Sequence, residues 1–301
     1  MSINWFPGHM VAAVNKATEA MADHDVIIEV LDARCPQASS NPTITAMRAH
    51  RQRPSLKVLN KIDVADPAIT ALWLDHFNAQ EGVKAIGISC KKPGDAIKVI
   101  KAAQTLAPHR SGAFKTLRLM IMGIPNVGKS TLINAMLKKR TAKVGDEPAV
   151  TKTLHRYDLG NHMTLTDTPG LMWPKIERES DGLILAASHS IGVKAYDEIE
   201  VAAFLANLIE QRYPGVTTAR YELPATQAAF DGHVLVERIA SHRGLLLKAL
   251  KGRSEPELDL ERAASTLLVD FRNGRLGSMS LESPADRLDV TTESRNQSKE
   301  L

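Results

Sequence analysis

Cysteine is scarce: Cys35 and Cys90 are the two in 301 residues. They lie far apart, which excludes a disulfide framework or a cysteine-built zinc cluster and suits a reducing cytosol, so a cytoplasmic location is expected. Long hydrophobic runs are missing as well. None approaches the roughly 20 apolar residues that span a bilayer, so no membrane partner is expected. The first residues lack the pattern of a signal or transit peptide. Asp23, His24 and Asp25 follow the first amphipathic stretch, with no small-residue cleavage site. No internal repeat is present.

What is present is a globular composition, 44% hydrophobic and 24% charged, in a chain long enough for two modest domains. The formal charge of +4 is unevenly spread: residues 1–173 carry 22 Lys/Arg against 14 Asp/Glu, and residues 174–301 carry 16 against 20. A basic first part can hold polyanions. Apolar runs at 26–31, 56–59, 84–89 and 117–122 predict strands. Segments 67–80 and 95–106 have helical spacing, with Asp66 and Asp95 near their starts. Segments 156–159 and 163–166 flank Gly160-Asn161 as a hairpin. The alternation predicts an α/β fold, a doubly wound mixed sheet that is parallel apart from the hairpin. After about Pro174 the strand signals fade, and 197–211, 233–250 and 258–271 predict a small all-helical domain. The expected divisions are 1–173, 174–283 and a polar, mobile tail over 284–301.

Gly123-Ile-Pro-Asn-Val-Gly128-Lys129-Ser130 follows a predicted strand and opens a predicted helix. G-x-x-x-x-G-K-[ST] in that context is a phosphate loop. The backbone N–H groups from Asn126, Val127 and Gly128 through Lys129, Ser130 and Thr131 wrap the β-phosphate, Lys129 bridges the β- and γ-phosphates, and Ser130 binds Mg²⁺. Asp167-Thr-Pro-Gly170 ends a strand some forty residues downstream. A carboxylate there can hold Mg²⁺ and the Gly170 N–H can meet the γ-phosphate. Thr151, in a polar stretch suited to a mobile switch, is favoured over its near rival Thr153 to complete the metal shell.

A phosphate loop leaves the base undecided. Asn60-Lys61-Ile62-Asp63 supplies it: an Asp63 carboxylate accepts from guanine N1–H and the 2-amino group together, Lys61 lies along the base and Asn60 braces the neighbouring loop. The motif sits at the carboxyl end of a strand, where open α/β sheets bind nucleotides. Ser89-Cys90-Lys91 ends the next strand and would offer backbone donors to guanine O6. The order is unusual, because Asn60 precedes Gly123. The expectation is therefore a circularly permuted P-loop GTPase domain followed by the helical domain.

With Trp5-Phe-Pro-Gly-His9-Met10, Asp32-Ala33-Arg34, Asn41-Pro42 and Gly274-Arg275-Leu276-Gly277, this order resembles the YlqF/RbgA subfamily of permuted GTPases. The resemblance implies a GTP/GDP-controlled assembly factor for the large ribosomal subunit precursor, stimulated by pre-ribosomal particles and touching ribosomal RNA with its C-terminal helices. The sequence departs from the pattern at Ala149, Cys90, Cys35 and Gln37, none of which touches the chemistry. Asn126 matches the asparagine with which potassium-stimulated GTPases hold K⁺. The chain is expected to act as a monomer.

Leu171 follows Gly170 where Ras-like enzymes place a water-orienting Gln, and it cannot hydrogen-bond water. His9, carried over by the FPGHM match, is the candidate catalytic residue beside Lys129, with anchoring of the N-terminal segment as its rival role. His155 and His162 read as hairpin residues, and Trp73 and Trp173 as core. Arg238, Arg243, Lys248, Lys251 and Arg253 lie on one predicted basic helix and are the candidate RNA contacts. The patch at Arg48, Arg51 and Arg53 is a second possibility. An RNA-binding scaffold with GTP as a structural ligand is the alternative function; intact Lys129, Ser130 and Asp167 favour the enzyme.

Overall fold

A computed structural model describes residues 9–92, 94–110, 115–137, 154–173, 176–225, 229–247 and 257–287. It divides into two units, one holding the described residues up to Trp173 together with 282–287, the other Ile176–Leu281.

In the first unit the apolar runs form one sheet: β1 (Val26–Asp32), β2 (Ser55–Asn60), β3 (Val83–Gly87), β4 (Leu117–Met122), β5 (His155–Gly160) and β6 (Met163–Asp167), in the order β3-β2-β1-β4-β6-β5. All neighbours pair in parallel except β5 with β6, which are antiparallel. β1 and β2 are buried along their whole length, as parallel strands covered on both faces should be. β5 is a half-exposed edge, with a register shift between Asp158 and Gly160.

On one face lie α1 (His9–Met21), α3 (Pro42–His50) and α4 (Pro67–Asn78). Ala17, Met21, Ile44 and Met47 close over Ile27, Met120, Met122 and Leu171, while Trp73 and Phe77 close over Leu31, Leu59, Val83 and Ala85. The other face carries α5 (Asp95–Leu106) and α6 (Lys129–Leu137). Asp66 caps α4 by accepting from the Ala68 and Ile69 N–H groups. Asp95 does not cap α5. Gly94, at φ 91°, takes that position, and the Asp95 carboxylate turns to the loop after β3. The four-residue helix α2 (Pro36–Ser39) follows β1. Its first N–H groups, from Gln37 and Ala38, donate to Glu282 at 2.6 and 2.9 Å. Glu282 also pairs with Arg287, so the start of the expected tail belongs to this unit.

The second unit contains α7 (Glu179–Ala187), α8 (Glu198–Arg212), α9 (Val216–Arg220), α10 (Gly232–His242) and α11 (Leu260–Arg272). α8 is central, packing on α7, α9, α10 and α11. Gly232 lets α10 approach closely: a Cβ there would lie 2.0 Å from the Ala203 carbonyl oxygen. The helix expected over 233–250 ends at His242, because Gly244 takes φ 59° and Leu246 enters a bridge with Leu258.

Candidate functional site

β4 ends at Met122 and α6 begins at Lys129, so residues 123–128 form the phosphate loop at the carboxyl end of the sheet. Its path demands glycine twice. Gly123 has φ 154° and a Cβ there would sit 2.7 Å from the Val30 carbonyl oxygen; at Gly128, φ is 97° and a Cβ would sit 2.2 Å from Asn60 Nδ2. Asn126 also has a positive φ of 60°, a conformation Asn tolerates. Neighbouring β6 delivers Asp167, whose carboxylate accepts from Lys129 Nζ at 2.5 Å, both side chains nearly buried. The turn after β6 is laced to the same loop. Thr168 N–H and its hydroxyl donate to Ile121 O, Leu171 N–H donates to Gly123 O at 3.2 Å, and Gly170 packs on Pro125. Ser130 is half-buried in the first turn of α6 and Thr131 is exposed beside it. A hydroxyl at Ser130 and a carboxylate at Asp167 are hard oxygen donors on adjacent elements, so these residues fit Mg²⁺ with water completing its shell.

The guanine motif meets this loop although it precedes it in sequence. Buried Asn60, the last residue of β2, donates from Nδ2 to Val127 O at 2.8 Å and accepts from Cys90 N–H at 3.2 Å. Lys61 takes φ 68° and donates to Asp32 at 2.8 Å. Asp32 is fully buried at the end of β1 and is also gripped by Arg34 through Nε at 2.9 Å and Nη2 at 2.7 Å. Burial alone would raise the Asp32 carboxyl, but the Arg34 and Lys61 cations hold it far below the usual carboxylate range. Asp63 is paired with exposed Lys91 at 2.8 Å. Burial raises its carboxyl too, and Lys91 and the Ser89 hydroxyl outweigh that, leaving it low and ionised.

In the Ser89-Cys90-Lys91 loop the N–H groups already have partners. Ser89 donates to Asp95 at 2.8 Å, Cys90 to Asn60 at 3.2 Å and Lys91 to the Ser89 hydroxyl at 3.3 Å. The last two are long bonds that a base oxygen could share, whereas Ser89 is committed to shaping the loop. Burial pushes the Cys90 thiol up to about 11, so it stays neutral. Asp32, which holds Lys61, and Asp95, which holds Ser89, are both buried and were not singled out as site residues. The Asp32-Ala33-Arg34 motif carried a signal for the first; for the second the only signal was an acidic residue at a helix start.

Leu171 is 1% exposed and packs with Ala17 and Met21 of α1, so it is a core residue turned away from the phosphate loop. Trp73 and Trp173 are buried, as expected. His155 lies in β5 and His162 in the turn after it, at φ 55°. His9 begins α1, but its side chain lies outside the described residues, as do Thr151, Thr153, Lys248, Lys251 and Arg253. Of the remaining RNA candidates, Arg238 is half-buried and donates to Pro224 O. Arg243 lies in the turn after α10, over the Tyr221 ring. They do not form one helical stripe.

Comparison with known proteins agrees with this geometry. Residues 118–228 match the family described as 50S ribosome-binding GTPase. Ribosome biogenesis GTPase A of Bacillus cereus is 37% identical over 294 residues, covering 95% of both chains. The same-named protein of Priestia megaterium is 33% identical, over 95% of this chain and 98% of its own. GNP-bound YlqF from T. maritima shares the fold with a TM-score of 0.61 at 24% identity, over 91% of this chain and 98% of that one. The chain thus belongs to the ribosome biogenesis GTPase A family, as a circularly permuted GTPase with a helical domain.

Proposed function

We propose that this GTPase is a nucleotide-controlled assembly factor for the large ribosomal subunit, binding precursor particles and their RNA in the GTP state as a cytoplasmic monomer. The observation that carries the nucleotide half is the Asn60 side chain, bonded to the phosphate loop and the guanine loop at once. It makes one site from motifs read in reversed order. Asp63 reads the guanine edge, Lys61 flanks the base, and Cys90 and Lys91 meet its carbonyl. The N–H groups from Asn126 to Thr131, with Gly170, cradle the phosphates.

Ser130, Asp167 and Thr151 would hold Mg²⁺, which when bound neutralises charge developing on the phosphate oxygens. Asn126 would hold K⁺, adding positive charge as an arginine finger does. Lys129 leaves Asp167 for the β- and γ-phosphates when nucleotide enters. Phosphoryl transfer to water then depends on positioning and charge stabilisation, with His9 orienting the water. Arg238, Arg243, Lys248, Lys251 and Arg253 are the RNA contacts in this scheme.

Multiple-turnover phosphate release, with and without large-subunit precursors, in potassium and in sodium, is the test. Turnover stimulated by the particle and faster in potassium is expected. Negligible turnover under all four conditions would leave GTP as a structural ligand only. Equal rates in the two salts would remove K⁺ alone.

A further inference from the structure

The helical unit contains an arginine cluster that the nucleotide site does not use. Asp270, near the end of α11, is 2% exposed. Arg220, the last residue of α9, donates to its Oδ2 from Nε at 3.0 Å and Nη2 at 2.9 Å. Arg275, from the Gly274-Arg275-Leu276-Gly277 turn, donates from Nη1 to Oδ1 at 3.1 Å. Its N–H also donates to the Asp270 carbonyl at 2.9 Å, which sets the turn. The buried Tyr221 hydroxyl donates to Oδ2 at 3.4 Å. Arg243 completes the group, its guanidinium 5.0 Å from the centre of the Tyr221 ring.

One carboxylate needs one guanidinium to cancel its charge, and here two bond it while a third lies over the neighbouring Tyr221 ring. The surplus positive charge faces water, since the Arg275 side chain is 58% exposed and that of Arg220 34%. Arg275 spends only Nη1 on Asp270 and keeps its other donors. Planar guanidinium forks match phosphate oxygens, and forks already pinned lose little freedom on binding. A polyanion would also relieve the mutual repulsion of three gathered cations. Arg243, its guanidinium over the Tyr221 ring and exposed, offers a cation on which an unpaired base can stack.

We infer that the Asp270-centred cluster of Arg220, Arg243 and Arg275 is the phosphate-gripping contact of the helical unit with RNA. It rests on the proposal that the chain binds ribosomal RNA, and it moves the centre of that contact from a basic helix to the turns around Asp270. Tyr221 and Asp270 position the arginines and do not touch the ligand.

The test is filter binding of the full chain, loaded with a non-hydrolysable GTP analogue, to protein-free large-subunit ribosomal RNA over a potassium chloride series. The double variant Arg243→Ala/Arg275→Ala leaves Asp270 its two-bonded Arg220, so the unit should stay folded. Its log–log salt slope should fall by about 0.7–0.9, the value of the one phosphate contact of Arg275, and its affinity further through the lost Arg243 stack, with GTP affinity unchanged. Arg275→Lys should keep the slope but bind more weakly, because the charge remains and the fork is gone. If the double variant melts early, Arg275→Glu on its exposed side chain gives the same readout. An unchanged slope beside a salt-dependent wild type overturns the cluster and leaves RNA binding standing. A wild type that binds no RNA removes both. Normal RNA binding with loss of the precursor particle would make the cluster a protein contact and overturn it as well.

Discussion

Asp63 and Lys91 form an ion pair at 2.8 Å, with the lysine side chain 77% exposed. Such pairs are worth about 0–1 kcal/mol. The N1–H and 2-amino groups of guanine can therefore displace Lys91 at little cost, while Asp63 stays ionised. Asp63→Asn should weaken GTP binding and improve xanthosine triphosphate binding, because an amide can donate to the new base carbonyl. Competition titration decides: continued preference for GTP would remove Asp63 as the guanine reader. His24 makes a second residue-scale case. Its Nδ1 lies 2.7 Å from Ala20 O, which can only accept, so Nδ1 carries the proton. Nε2 then accepts from the Thr166 hydroxyl at 2.7 Å, next to Asp167. Burial lowers the His24 pKa below 6.5, more than the bond to Ala20 raises it. The unfolded chain thus binds the proton more readily, and stability should be full above about pH 6.5 and fall as pH drops from there toward the folded value. The slope for this group is at most about 1.4 kcal/mol per pH unit. Denaturant unfolding of wild type and His24→Gln between pH 5 and 7.5 checks this; identical acid-side profiles would show that His24 takes no part.

At the scale of elements, the joint between β2 and the phosphate loop is the tightest constraint. Gly128→Ala would place a Cβ 2.2 Å from Asn60 Nδ2, at φ 97°. Asn60 must then leave Val127 O, and its hold on Cys90 N–H goes with it. Two lost bonds of roughly 0.5–1.5 kcal/mol each predict GTP binding weaker by about 5- to 150-fold. If the clash with Asn60 contributes, Gly128→Ala costs less on top of Asn60→Ala than it does alone, the remainder being the strain of a Cβ at φ 97°; fully additive losses in that double-mutant cycle would refute it. The elements themselves were mostly legible in the sequence. Apolar runs gave β1 to β4 to within two residues, most clearly where a parallel strand buried on both faces has no room for polar alternation, and the Gly160-Asn161 turn gave β5 and β6. The helix over 233–250 was overdrawn because Gly244 sits among good helix formers, and periodicity does not register one left-handed residue. α3 was missed since its nine residues bury only Ile44 and Met47. Within the site, the motifs located Asn60, Asp63, Lys129 and Asp167. The carboxylates behind them were harder to see, because Asp95 reaches Ser89 only once the chain has turned.

For the whole molecule, the structure removes one familiar route to fast turnover. The residue after Gly170 is packed in the core against α1, so it orients no water. That same packing fixes α1 beside the Asp167–Leu171 turn, and α1 begins at His9. α1, at whose start His9 stands, is thus anchored through Ala17 and Met21 to the segment that follows Asp167. An imidazole with a pKa of about 6.5 can accept from water or, protonated, steady charge on the γ-phosphate. His9→Ala should therefore lower particle-stimulated turnover by on the order of 10²-fold while barely changing GTP affinity. Leu171→Ala should act differently, loosening the core under the turn by about 2–5 kcal/mol. If His9 only docks the N-terminal segment, His9→Ala loses particle affinity but turns over normally once the particle saturates it. Single-turnover rates at saturating particle separate these outcomes. A rate equal to wild type there ends the catalytic assignment, whereas a depressed rate with undiminished particle binding places His9 at the reacting water.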